Sequence, residues 1–208
     1  MRAKVTRKAR ALVTIKYKGQ GTLFGGVIFA RRESGITSIQ DLKDKVVMCP
    51  KFSSLGGWLF EKGVMVNHGI NPERDFKKLM ESPDESHDGV VIAVRDRKAD
   101  VGTVRTNLLE AMQREGKIDL SEFIVLNPQH HEHFTVLCST PLYPDWPVAA
   151  MGEVPQEQAE RLKKALMAIQ TGHPALEKAR GIEQFIDALD YGPVEELCRL
   201  LKVPPFQR

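Results

Sequence analysis

Two serines and two glycines lie between apolar runs in the stretch Cys49-Pro-Lys-Phe-Ser-Ser-Leu-Gly-Gly-Trp-Leu-Phe60. Because Val46 and Val47 precede this stretch, the order predicts a strand, a tight turn and a helix over about residues 57–66. The first turn of a helix has amide N–H groups without helical partners, at the positive end of the helix dipole. Small anions bind such amides, and an ordinary capped helix without a ligand is the alternative. The candidate contacts are Ser53, Ser54, Leu55, Gly56 and Gly57.

Arg105 follows Ala99-Asp-Val-Gly-Thr-Val104, a run that predicts a strand ending in a turn. The planar guanidinium of arginine suits the oxygens of sulfur and phosphorus oxyanions. The alternative is a structural ion pair with Glu110 or Asp100. Thr103, in the same run, is a weaker candidate for the same site.

His87 lies in Ser86-His-Asp88, which is typical of a helix start because Ser86 can cap the first amides. It is either a ligand contact or a solvated surface histidine. Tyr143 lies in a proline-rich segment, residues 140–147, and completes the set of candidate ligand contacts. Trp146 in that segment could wall a pocket or be buried in a core.

The periodicity of the chain predicts a parallel α/β lobe that positions these turns. Between residues 46 and 126, apolar runs alternate with amphipathic segments in the order β-α-β-α-β-α-β. Ligands of such lobes bind at the carboxyl ends of the strands, where the candidate turns lie. Asn107 and Glu110 resemble a capping box, and residues 133–139 are strand-like. After residue 150 the pattern predicts helices, which begin near Pro155 and Pro193.

The composition limits the classes of function. The 208 residues are 42% hydrophobic and 27% charged, as in a folded protein of one large domain or two small lobes. A net charge of +3 gives no argument for nucleic-acid binding, and no apolar run is long enough to span a membrane. Basic residues between Met1 and Arg10 resemble the start of a signal peptide. The apolar run Leu12-Val-Thr-Ile15 is too short for one, so we predict no signal peptide.

No metal, cofactor or catalytic motif is identifiable. The three cysteines, Cys49, Cys138 and Cys198, are far apart, which argues against a metal motif or a disulfide framework. Adjacent histidines in the loop His130-His-Glu-His133 point in different directions, so we predict no metal there. No acid and base, and no nucleophile and base, have a recognisable spacing. We therefore expect binding without catalysis and without a cofactor.

An ordered set of motifs resembles the phosphonate-type periplasmic binding proteins. It is most similar to the branch in which this module is the sensor of a membrane histidine kinase, as in the tetrathionate sensors. The resemblance covers about residues 11–206. The motifs that carry it lie at residues 26–36, 41–45, 54–58, 86–88, 99–106, 139–147 and 190–191.

The resemblance implies an α/β fold of the type II periplasmic-binding class, a two-lobed clamp that closes on an oxyanion. Residues 36–149 would form a complete second lobe, residues 1–35 the remnant of a truncated first lobe and the crossover, and residues 150–208 a helical return. Phosphonate binders typically have Ser-Thr-Ser-Gly at the anion turn. Here Leu55 and Gly56 replace two hydroxyl groups, so we expect a different specificity.

The function implied is non-enzymatic recognition of a small sulfur or phosphorus oxyanion as the input of a two-component histidine kinase. The alternatives are the solute-binding component of a phosphonate-type ABC transporter and a small-molecule enzyme on the same fold. The implied partners are the anion and a kinase portion or membrane anchor outside this chain, with a periplasmic location. A reduced first lobe leaves apolar surface uncovered, so a homodimer is also expected.

Overall fold

The β-branched and apolar runs form strands, and the periodic segments between them form helices. The structure is a computed structural model that describes residues 9–179 and 181–206. The strands are β1 (Arg10–Tyr17), β2 (Leu23–Phe24), β3 (Gly26–Arg31), β4 (Val46–Cys49), β5 (Lys78–Glu81), β6 (Val101–Arg105), β7 (Phe123–Leu126), β8 (Tyr143–Pro144), β9 (Pro147–Ala150) and β10 (Ile182–Asp187). The helices are α1 (Phe60–Asn67), α2 (Pro72–Asp75), α3 (His87–Arg95), α4 (Leu108–Arg114), α5 (Gln156–Met167), α6 (Pro174–Glu177) and α7 (Gly192–Leu200). A π-helical turn (Leu55–Leu59) precedes α1, and 3-10 turns span Arg32–Ser34, Ile39–Leu42 and Leu120–Glu122.

The chain passes twice between two units. The first unit contains the residues up to Phe24 and from Leu142 onward, and the second runs from Gly25 to Pro141. Most of the basic N-terminal run, residues 1–8, lies outside the described residues. None of the described helices is long and apolar enough to cross a membrane.

The second unit contains a five-stranded sheet in the order β5-β4-β6-β3-β7. β4 is parallel to both β5 and β6, whereas β3 is antiparallel to β6 and β7. Four strands therefore share the predicted direction, and β3 runs against them. The predicted boundary at residue 35 assigns β3 to the first lobe, but this strand lies within the sheet of the second unit.

The core of this unit explains why β3 and β6 pair closely. Phe29 of β3 is fully buried and contacts Phe123 of β7 edge to face, with ring centroids 5.5 Å apart. A Cβ atom at Gly102 of β6 would lie 2.5 Å from Phe29 Cζ and 2.9 Å from Val90 Cγ1. Glycine at position 102 therefore leaves room for the phenyl ring between β6 and α3.

The first unit contains a three-stranded antiparallel sheet in the order β10-β1-β9. Helix α5 packs against it through Ala159, which lies in a small core with Leu12 and Ala150. The sequence predicts α5 and α7 correctly. Strand β10 lies in the part that was predicted to be helical, and β9 lies almost wholly in the segment that was assigned to the second lobe.

Helix caps show which local predictions hold. Ser86 Oγ accepts a hydrogen bond from the Gly89 amide at 2.9 Å, so the predicted cap of α3 is confirmed. The capping box at Asn107 is wrong, because Asn107 has a left-handed backbone with φ of 65° and its side chain makes no cap bond. Glu110 instead accepts a hydrogen bond from the Leu137 amide at 2.6 Å.

The segment before Pro141 does not form the predicted strand, and it contacts β3 through hydrogen bonds of the Ser139 side chain. Residues 134–139 form no regular strand. The buried Ser139 hydroxyl accepts a hydrogen bond from the Ile28 amide at 2.9 Å and donates one to the Leu126 carbonyl at 2.7 Å. This single side chain therefore connects β3 and β7.

Ser139→Ala should lower the free energy of unfolding by about 1–3 kcal/mol, because it leaves buried backbone groups without their partner. Denaturant unfolding monitored by circular dichroism measures this change. Ser53→Ala, at an exposed serine, is the matched control and should unfold like the wild type. Equal stability of the Ser139 variant and the wild type would contradict the role of this hydroxyl.

Candidate functional site

The turn after β4 leads directly into the π-helical turn. The Leu59 amide donates to the Ser54 carbonyl at 2.9 Å, and the Phe60 amide donates to the Leu55 carbonyl. These bonds, each from an amide to the carbonyl five residues earlier, are the first of the helical segment. The amides of Leu55, Gly56 and Gly57 precede them and have no acceptor among the described residues. The helical segment begins two residues earlier than predicted, and the Ser54 side chain makes no cap bond.

Gly57 lies at the most crowded point of this turn. A Cβ atom there would lie 2.5 Å from Pro50 Cγ, 2.6 Å from His87 Cε1 and 2.8 Å from Ser54 Oγ. The structure therefore brings three predicted site residues, Ser54, Gly57 and His87, into one place. Any side chain at position 57 would displace one of these groups.

Thr103 fixes the turn on the sheet from beneath. Its fully buried hydroxyl donates a hydrogen bond of 2.6 Å to the carbonyl oxygen of Gly57. Because this proton is used within the protein, Thr103 acts here as a support for the amides rather than as a free donor. The hydroxyl of Thr106, the residue after Arg105, accepts a hydrogen bond from the Gly25 amide at 3.2 Å.

His87 lies at the start of α3 with its ring orientation fixed. Its Nδ1 atom accepts a hydrogen bond of 3.2 Å from the backbone amide of Arg105, which leaves the ring proton on Nε2. Burial, followed by the nearby Arg105 charge, lowers the pKa of His87 to about 4. The imidazole is therefore neutral at pH 7 and can donate one hydrogen bond from Nε2.

Arg105 is an exposed residue at the carboxyl end of β6. Among the described residues no carboxylate pairs with its guanidinium, which makes only a 3.5 Å contact with the Thr106 carbonyl. The partners that the alternative interpretation required are used elsewhere. Asp100 accepts a hydrogen bond from the Val46 amide at 2.9 Å, and Glu110 is bonded to Leu137.

Sequence reasoning missed the aromatic and acidic surroundings of the turn. Phe52 lies next to the candidate serines, is 44% exposed and has its ring centroid 6.2 Å from that of Trp58, which is buried. Its amide donates to Glu81 at 2.6 Å. Hydrogen bonds from Ser82 and Ser86 lower the pKa of Asp84 to about 2, so this carboxylate is a structural acceptor.

Tyr143 belongs to the first unit. It lies in β8, where it pairs with Phe24 of β2, and is buried. Asp145 is also buried and accepts hydrogen bonds from Gln20 Nε2 at 3.2 Å and from the Trp146 amide at 2.8 Å. A ligand contact through Tyr143 stays a prediction.

A mixed sheet with a parallel β5-β4-β6 part and flanking helices is the architecture of the type II periplasmic binding proteins. The predicted fold class is therefore confirmed. The family model described as "ABC transporter, phosphonate, periplasmic substrate-binding protein" matches residues 1–191. The chain belongs to this family, as its motifs predicted.

Individual relatives agree with this assignment. The tetrathionate sensor histidine kinase TtrS of Salmonella typhimurium is 36% identical over 149 residues. This alignment covers 72% of the chain but only 25% of TtrS.

The solved structures show the same fold at low identity. A Xanthomonas citri protein bound to ATP has a TM-score of 0.72 and 19% identity, over 92% of this chain and 69% of the other. PhnD1 of Prochlorococcus marinus, in complex with methylphosphonate, has a TM-score of 0.67 and 18% identity, over 93% of this chain and 71% of PhnD1. A binding protein component of an ABC phosphonate transporter from Pseudomonas aeruginosa has a TM-score of 0.66 and 20% identity, over 92% of this chain and 62% of the other.

His87 should titrate near pH 4 in the native protein, which NMR of the imidazole nitrogens measures. Since the unfolded chain protonates this histidine near its ordinary pKa of 6.5, the free energy of unfolding should fall as pH decreases from about 6.5 to about 4. Arg105→Ala removes the smaller of the two causes and should raise the pKa of His87. Titration of the wild-type ring near pH 6.5 would contradict the burial and the bond to Arg105.

Proposed function

We propose that the chain binds a small oxyanion of sulfur or phosphorus, without chemical turnover, as the sensory input of a two-component histidine kinase. The observation that carries this proposal is the cluster of unused donors around Gly57. It combines the free amides of residues 55–57 with Nε2–H of His87 and a guanidinium, that of Arg105, without a carboxylate partner.

The donors suit an oxyanion better than a cation or a neutral apolar ligand. Backbone amides at a helix start and a planar guanidinium both favour negative oxygen atoms. A neutral imidazole adds a directed hydrogen bond without adding charge. Ser53 and Ser54 can supply hydroxyl groups, whereas Leu55 and Gly56 can supply only their amides.

The sensor role is supported by the relative with the higher identity. The tetrathionate sensor kinase shares 36% of aligned residues, against 18–20% for the phosphonate-binding structures. A kinase portion or membrane anchor outside this chain and a periplasmic location belong to this proposal.

The family description favours the second candidate, the solute-binding component of a phosphonate-type transporter. Co-purification with a histidine kinase or with a transporter permease separates the two.

A thermal-shift screen tests the binding itself. The ligands are sulfate, thiosulfate, tetrathionate, phosphate and methylphosphonate, each at several concentrations. A ligand that binds only the native state raises the melting temperature with its concentration. No shift with any of the five anions would reject the proposal, and disappearance of a bound anion with time would indicate an enzyme. Light scattering on the same samples tests the expected homodimer.

Arg105→Ala should weaken binding of the anion that gives the largest shift by about ten- to a hundredfold. A hydrogen bond to a charged group contributes about 1.5–3 kcal/mol, and 1.4 kcal/mol corresponds to about tenfold. Arg105→Lys should restore only part of the affinity, because lysine keeps the charge but loses the planar fork.

Isothermal calorimetry measures these affinities. The control is Arg97→Ala, which removes an exposed arginine that is paired with Glu33 at 2.6 Å. This variant should bind like the wild type. Unchanged affinity in Arg105→Ala would reject the proposed site.

A further inference from the structure

Glu61 is a buried acid on the helix that begins at the candidate anion site. Its exposed fraction is 0%, and neither carboxyl oxygen has a hydrogen-bond partner among the described residues. It lies in the first turn of α1, directly after the π-helical turn that carries the candidate amides. None of the roles assigned above uses this side chain.

The carboxyl group is pressed against the backbone of β3. A Cβ atom at Gly26 would lie 2.3 Å from both Cδ and Oε1 of Glu61. Gly26 is also the register partner of Arg105 on the neighbouring strand β6. Glu61 therefore occupies the space that a side chain at Gly26 would need, beside the strand pair that ends at Arg105.

The groups that face Glu61 leave it without a counter-ion. Cys49 of β4 and Cys138 of the segment before Pro141 both interact with its charge. Burial is the main cause that raises the pKa of each thiol, to about 12 for Cys49, so both are neutral at pH 7. Glu61 has no cation in its surroundings among the described residues.

Burial raises the pKa of Glu61 well above its ordinary value, and the nearby amides of Glu61 and Val27, which lie outside hydrogen-bonding geometry, only partly oppose this effect. An ionised carboxylate here would have neither water nor a partner to stabilise it. The protonated form is therefore the form that the native packing accommodates.

We propose that the proton on Glu61 is bound together with the anion, so that the site takes up an oxyanion and a proton cooperatively. This inference rests on the proposed function, because it concerns the same helix start. The seven residues from Ser54 to Glu61 place the carboxyl group about 10 Å from the anion along the helix. At an effective dielectric constant of about 20, ionisation of Glu61 would weaken binding of a singly charged anion by roughly tenfold and of a doubly charged anion by more.

Linkage makes the effect reciprocal. If a proton on Glu61 strengthens anion binding by about tenfold, the bound anion strengthens proton binding by the same factor. The anion should then raise the pKa of Glu61 by about one unit or more. Affinity should be highest at low pH and should decrease as pH rises through the pKa of Glu61.

Calorimetry with sulfate and with tetrathionate, neither of which titrates between pH 6 and 9, tests this coupling. Wild-type protein should bind more weakly as pH rises through the pKa of Glu61. It should also take up protons on binding, measured as a difference in heat between buffers of different ionisation enthalpy. Glu61→Gln, a neutral side chain of the same shape, should bind with an affinity independent of pH and without proton uptake. His87 titrates near pH 4 and lies outside the range.

Glu110→Gln is the matched control, since one oxygen of Glu110 is also buried without a partner while the other is bonded to Leu137. This variant should keep the wild-type pH dependence. Proton uptake on binding is measured on the wild-type protein alone, so the test holds even if Glu61→Gln fails to fold. Binding by the wild type without pH dependence or proton uptake up to pH 9 would overturn the role of Glu61 alone. Failure of both anions to bind at any pH would reject the proposed sulfur-oxyanion function as well.

Discussion

The hydrogen bond from Thr103 to the Gly57 carbonyl connects the sheet to the helix that carries the candidate site. The bond is 2.6 Å long and fully buried, so water does not compete for either atom. It fixes the π-helical turn in the position where three successive amides point away from any protein acceptor. Without this bond the fully buried Thr103 hydroxyl would lose its acceptor, at a cost of about 1–3 kcal/mol. The geometry of the donors depends on this one contact.

A second constraint is the distribution of charge around that turn. His87 is held neutral by burial and by the amide of Arg105, so the guanidinium supplies the formal positive charge of the candidate donor set. Asp84 is ionised but its oxygens are occupied by Ser82 and Ser86. Recognition at such a site would rely on directed hydrogen bonds around one cation, which favours a small anion of defined shape over a large polyanion.

Membership of the phosphonate-binding family sets the fold, and the local residues decide the ligand. The family relation extends from a transporter component to a sensor kinase, two roles that use the same architecture. The exposed Phe52 beside the turn and the hydroxyl-poor sequence Leu55-Gly56 distinguish this chain chemically. Differences of this kind change specificity because each replaced donor leaves a ligand oxygen to be satisfied by another group.

The strand–turn–helix unit at residues 46–67 and the Ser86 cap could be predicted from the sequence, because both depend on neighbouring residues only. A β-branched run, small residues in a turn and a short polar side chain before a helix act within one or two turns of backbone. The ordered motifs also identified the family. Candidate residues on two separate loops, His87 and Arg105, could be named before their contact was known.

The direction and place of β3, the partners of Glu110 and the burial of Glu61 could not be predicted from local sequence. These features depend on pairing between residues far apart in the chain, such as Gly26 with Arg105 and Leu137 with Glu110. A capping box and an ion pair were locally reasonable for Glu110, but a distant amide competes successfully for the same oxygen. A glutamate in an amphipathic segment is normally exposed, and the close approach of Gly26 is what places Glu61 in the core.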